Sequence, residues 1–209
     1  MKFILFCEGW TEDKALPEFL RRWLHAQFTE RIGVKTVRFN GWKQLVDDAP
    51  KKAKLHLGKA DVIAVIGLLD LYGPTFYPPN KNTVSERYDW AKSHLESNVG
   101  LSSYRQHFAV QEVEAWILSQ PDLLPPAVKK KLPGTARQPE TVNFNEPPSY
   151  LLDRLYGEAL KKKYKKVTNG SDLFSKLDPN VVHQKCPYFK RFCDDLIELA
   201  NGKGMSLKS

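Results

Sequence analysis

Two short runs of the chain are apolar at almost every position, and each ends on an acid. Phe3-Ile4-Leu5-Phe6-Cys7 leads into Glu8-Gly9-Trp10-Thr11-Glu12, and Val62-Ile63-Ala64-Val65-Ile66-Gly67-Leu68-Leu69 leads into Asp70-Leu71-Tyr72-Gly73. Runs of this length without polar alternation read as strands covered on both faces, the habit of a parallel sheet. Elsewhere the period is helical. Leu16, Phe19, Leu20, Trp23 and Leu24 predict an amphipathic helix of about four turns after the first strand. Gly9 offers the tight turn before it, Thr11 is the expected N-cap, and Glu12 and Asp13 suit the dipole of the first turn. Thr36-Val37-Arg38-Phe39 is a short strand, and Leu45, Val46, Ala49, Ala53 and Leu57 predict a second helix from Trp42 to about Leu57, with a kink or break expected at Pro50. A loop holding Pro74, Pro78 and Pro79 follows Asp70. Residues 84–98 then read as helix, 105–110 as a fourth strand, and 112–119 as a helix starting at that strand's carboxyl end.

This alternation predicts a doubly wound, mostly parallel α/β core over residues 1–120. From Pro121 the pattern breaks. Pro125, Pro126, Pro133, Pro139, Pro147 and Pro148 punctuate a polar stretch, residues 150–166 read as helix, and 171–200 as short helices around Cys186-Pro187-Tyr188-Phe189. Apolar positions there are too scattered for an independent domain, so residues 121–209 are expected to form a mainly helical extension packed on the core.

Charge narrows the partners. Thirty-two Lys and Arg against 24 Asp and Glu give a formal net charge of +8, which favours a polyanion, with nucleic acid ahead of an anionic membrane. The basic residues cluster at Lys51-Lys52-Lys54, at Lys129-Lys130-Lys131, and at Lys161-Lys162-Lys163 with Lys165 and Lys166. Such runs are often solvated faces, but Tyr156 and Tyr164 accompany the longest, a combination that suits stacking plus phosphate pairing. Cys7, Cys186 and Cys193 have no C-x-x-C spacing, and His183 with Cys186 and Cys193 lacks a fourth zinc ligand. A reducing cytoplasm is the expected location. No apolar run approaches the roughly 20 residues of a membrane-spanning helix.

The acids carry the candidate chemistry. In open α/β sheets the carboxyl ends of the strands line the functional crevice, so Glu8 and Asp70 both project into it if their strands are neighbours. Two carboxylates meeting there repel unless a cation separates them, and a divalent ion is the simplest. Magnesium or manganese held by carboxylates also supplies what phosphodiester hydrolysis needs, a Lewis acid and an activated water. Glu12 or Glu114 is expected to complete the ligand set or activate the water. Each acid also has a structural reading: Asp70 as a cap, Glu8 and Glu12 as partners of the nearby helix start, and Glu114 as a helix-start acid. Glu112 and Glu114 are two apart, so on a helix only one is expected to face the crevice, and Glu114, ahead of Ala115-Trp116-Ile117-Leu118, is preferred. Trp23, Trp42, Trp90 and Trp116 read as core. With no G-x-x-x-x-G-K-[ST], and no G-x-G-x-x-G after a strand, nothing points to a nucleotide triphosphate or dinucleotide site.

Taken in order, Glu8-Gly9-Trp10-Thr11-Glu12, Asp70-Leu71-Tyr72-Gly73, Glu112-Val113-Glu114-Ala115-Trp116, Pro139-Glu140-Thr141-Val142-Asn143 with Pro148-Ser149, and Cys186-Pro187-Tyr188-Phe189 resemble the motifs of domain-of-unknown-function family 4276, an uncharacterised Toprim-like family. The resemblance covers most of the chain. It implies the Toprim α/β fold shared by bacterial primases, type II topoisomerases and overcoming-lysogenization-defect nucleases, in which an acid after the first strand and a D-x-D pair after a later one hold magnesium. Glu8 and Asp70 match the first acid and the first Asp of the pair. Tyr72 stands where the second Asp would be, so one ligand of that pair is missing. Members often lie beside an ATPase in anti-phage or genome-maintenance loci, so the resemblance also implies a separate ATPase subunit as partner. Two functions follow as expectations: a metal-dependent nuclease, or a non-catalytic subunit that binds nucleic acid or its ATPase.

Overall fold

A computed structural model describes residues 1–141 and 146–208; Val142 and Asn143 of the fourth motif therefore lie outside the described residues. Four parallel strands, β1 (Lys2–Cys7), β2 (Gly33–Arg38), β3 (Val62–Asp70) and β4 (Tyr104–Ala109), form one sheet in the order β2-β1-β3-β4. The apolar runs are its two central strands, which explains their lack of polar alternation. Helices α1 (Trp10–Gln27), α2 (Trp42–Leu57) and α3 (Val84–Val99) are the crossovers. Side chains of β1 alternate between the two faces: Phe3 and Leu5 pack toward α1, Ile4 and Phe6 toward α2 and α3. This is the expected doubly wound α/β core.

The remaining helices are α4 (Glu114–Leu118), α5 (Pro126–Lys129), α6 (Pro148–Leu160), a π-helical turn at Lys166–Gly170, α7 (Ser171–Lys176), α8 (Pro179–Lys185) and α9 (Pro187–Asn201). The C-terminal region is mainly helical and shares its apolar core with α1. Phe19 packs against Trp116, Phe174 and Phe189, with ring centroids 5.5–6.1 Å apart. A polar chain also docks α9: Tyr88 Oη lies 2.8 Å from His107 Nδ1, and His107 Nε2 lies 3.0 Å from Asp195 Oδ2.

Several local expectations are corrected. Gly9, not Thr11, is the N-cap of α1, and Thr11 is buried within its first turn. Helix α2 runs through Pro50 without ending, since Leu45, Ala49 and Ala53 anchor turns on both sides of it in the core. Helix α6 stops at Leu160, where Lys161 adopts a left-handed conformation (φ 56°), so the lysine run is not a helix face.

Gly67, in the middle of β3, shows how closely the sheet is covered. A Cβ there would lie 2.3 Å from both Gln106 Oε1 and Tyr104 Oη, atoms that are themselves hydrogen-bonded at 2.6 Å. Gly67→Ala is expected to lower unfolding free energy by at least about 1 kcal/mol, because a buried pair must separate to admit one methyl; urea denaturation checks this.

A crevice of carboxylates around one lysine

Strands β1 and β3 are neighbours, so Glu8 and Asp70 are brought together at their carboxyl ends. Glu8 Oε1 accepts the backbone N–H of Asp70 at 3.1 Å. Asp70 Oδ1 accepts the N–H of Val113 at 3.2 Å, just ahead of α4. Glu12 folds back from α1 over Gly9, where a Cβ would stand only 2.2 Å from Glu12 Oε2. A side chain at position 9 would displace the Glu12 carboxylate from this place. Glu112 Oε2 accepts the N–H of Ser149, in the first turn of α6, at 2.8 Å.

One cation enters this group. Lys166 Nζ, from the start of the π-helical turn, donates to Glu112 Oε1 at 2.7 Å and lies 3.6 Å from Glu114 Oε2. Glu112 and Glu114 therefore face the same group. The spacing argument against this fails because α4 begins only at Glu114 and Glu112 precedes it. Glu114 is 1% exposed, and neither of its carboxylate oxygens has a hydrogen-bond partner among the described residues.

The titration behaviour follows from crowding. Burial, with Glu12 next, raises the Glu8 carboxyl, against the pull of the Asp70 and Trp42 amides and Lys166. Burial also raises Glu12, with Glu112 adding to it and Lys166 opposing. Asp70 is held well above the usual carboxylate range by burial, then Glu12 and Glu8. Glu114 is pushed up to about 7 by burial and the neighbouring carboxylates, with Lys166 opposing. Burial by itself would lower the Lys166 ammonium, but Glu114, Asp70 and Glu112 outweigh it and raise the group. Carboxylates from the ends of β1, β3 and β4 and from α1 thus share one crevice with the Lys166 ammonium.

The donors are hard oxygens, the type that suits magnesium or manganese, and Glu114 Oε2 meets the Lys166 ammonium at 3.6 Å without a hydrogen bond. Among the described residues, as the side chains stand, no three His, Cys, Asp or Glu converge on one point; Lys166 stands among them.

Lys166, grouped by sequence with a basic run, has its ammonium inside the crevice. Lys161, Lys162, Lys163 and Lys165 are exposed. Tyr156 and Tyr164 are not available for base stacking, as both are buried and their centroids lie 5.4 Å apart. Trp23 and Trp116 are buried as expected. Two further residues escaped sequence reasoning. Glu140 is buried, accepts the N–H groups of Tyr188 and Phe189 at 2.7 and 3.2 Å, and so caps α9. The fourth and fifth motifs are thus the two sides of one contact, and a buried acid in one facing Pro-Tyr-Phe in the other was the available signal. Gln111, beside Glu112, is buried with φ 68°, a strained conformation for a side chain of this size.

The model of a family described as a domain of unknown function, DUF4276, matches residues 7–197. No curated protein matches the chain. Among solved structures it is similar to the C-terminal region of the Burkholderia pseudomallei OLD protein, with a TM-score of 0.45 and 14% identity over 90% of this chain and 96% of that one. It is also similar to the C-terminal region of the Xanthomonas campestris pv. campestris OLD protein, with a TM-score of 0.43 and 14% identity over 90% of each.

Proposed function

The chain belongs to the DUF4276 family, and from that premise and the acidic crevice we propose that it is a Toprim-like, divalent-metal-dependent nuclease acting on DNA or RNA phosphodiesters with a separate ATPase subunit. The observation that carries the reading is the gathering of Glu8, Glu12, Asp70, Glu112 and Glu114 around Lys166 at the strand ends. A purely structural role would not require the raised carboxyls of Glu8, Glu12, Asp70 and Glu114 at one place.

Glu8, Asp70 and Glu114 would hold magnesium or manganese, which when bound offsets phosphate charge and acidifies its water. The chain's own residues do the rest. Glu12, raised above an ordinary carboxyl, is a stronger base than a free glutamate once ionised and would accept the proton of the attacking water. Lys166 would meet the negative charge that develops on the phosphate oxygens. Lys161, Lys162, Lys163 and Lys165, exposed on the segment that leads to Lys166, would pair with flanking phosphates. The ATPase, through its own nucleotide cycle, would control access.

The test is cleavage. With manganese the purified chain, alone or with the ATPase, is expected to nick or degrade DNA or RNA, and Asp70→Asn and Glu8→Ala, folded as judged by circular dichroism, are expected to be inactive. Retained cleavage in the double variant would remove the crevice from the mechanism. A non-catalytic subunit is favoured by one observation, that the Lys166 ammonium already stands among the carboxylates; inactivity of the wild type on both nucleic acids, with and without the partner, would favour it over the nuclease.

A further inference from the structure

We propose that Trp10, backed by Arg38, is a stacking platform for an unpaired base beside the phosphodiester that enters the crevice, so that the chain engages single-stranded or frayed nucleic acid; the inference rests on the nucleic-acid reading above. Trp10 is the first residue of α1, between Glu8 and Glu12, and is 54% exposed. Its position is defined despite that exposure. Arg38 ends β2 opposite Cys7, and its guanidinium carbon lies 3.8 Å from the centroid of the indole. Arg38 Nη1 also donates to Asn40 Oδ1 at 3.3 Å. An aromatic ring held on one face by a planar cation is ordered before a base arrives, so less freedom is lost on binding. The same cation places positive charge at the rim of a crevice rich in acids, where a phosphate must pass.

A second ring stands near the mouth. Tyr72, two residues beyond Asp70, is 39% exposed, and its N–H donates to the carbonyl of Gln111 at 3.1 Å. Bases within a duplex have both faces covered by neighbours, whereas an unpaired base offers one to an indole.

Fluorescence anisotropy in EDTA, with labelled oligothymidylate, oligouridylate and a blunt DNA duplex as probes, tests this without cleavage. One or both single strands are expected to bind tighter than the duplex. Trp10→Ala should weaken single-strand binding about tenfold or more while leaving duplex binding unchanged, and Trp10→Phe should recover most of the loss. Equal affinity of the wild type for strand and duplex, or unchanged single-strand binding in a folded Trp10→Ala, would overturn the platform. If cleavage in manganese survives such a result, the nuclease reading stands without it. If the wild type binds no probe, the platform falls, and if it also cleaves neither nucleic acid with and without the ATPase, the nuclease reading falls with it.

Discussion

Lys166→Gln is expected to slow cleavage about a hundredfold or more and to cost about 2 kcal/mol of stability at pH 8. The first figure is the usual effect of deleting one preorganised group that meets developing charge. The second is a discounted one. Removing a partner from a fully buried ion pair costs about 3–5 kcal/mol, but 42% of the Lys166 side chain remains exposed, so solvent screens part of the loss. The deficit should shrink as pH falls, because Glu8, Glu12, Asp70 and Glu114, all raised, take up protons and no longer need the ammonium. Lys166→Arg keeps the charge and should keep most of the stability. Urea unfolding at pH 5 and pH 8 measures both effects, and a Gln variant as stable as wild type at pH 8 would mean that water, rather than Lys166, balances the crevice.

Glu114→Gln should make the chain more stable above neutrality. A carboxyl raised from 4.5 to about 7 keeps its proton in the folded state after the unfolded chain has lost it. The unfolded state therefore binds fewer protons across that window, and wild-type stability falls as pH rises from 4.5 to 7, by on the order of 3 kcal/mol from this group, then levels off. Glutamine cannot ionise, so the variant should lack this part of the slope while losing cleavage. Glu140 is also pushed up to about 7, chiefly by burial, and contributes in the same window, so the difference between wild type and variant is the quantity to read. Parallel curves would show that the Glu114 carboxylate is solvated.

The strands were legible because their burial on both faces is written locally: eight apolar residues in succession before Asp70 leave no polar face to hydrate. The meeting of Glu8 and Asp70 followed from that pattern and the rule that strand carboxyl ends share a crevice. Lys166 was not legible. A lysine among lysines reads as solvated, and its partner Glu112 lies 54 positions away, a relation set by where α6 stops and the π-helical turn begins. Glu112 was set aside through a helix boundary wrong by two residues, enough to turn a side chain by more than half a turn. Thr11 failed as a cap for a similar reason: the helix begins at Trp10, two residues earlier than a Thr11 cap requires, which puts Thr11 inside its first turn.

The route of the chain through the crevice bears on how such a protein can be divided. Every acid of the crevice lies before residue 120, while the ammonium that offsets them and the Ser149 amide that orients Glu112 come after it. A fragment cut after the sheet would carry like charges and no counter-ion. A graft that preserves the site must therefore carry both the sheet and the π-helical turn, and a relative missing that turn would need another cation in its place.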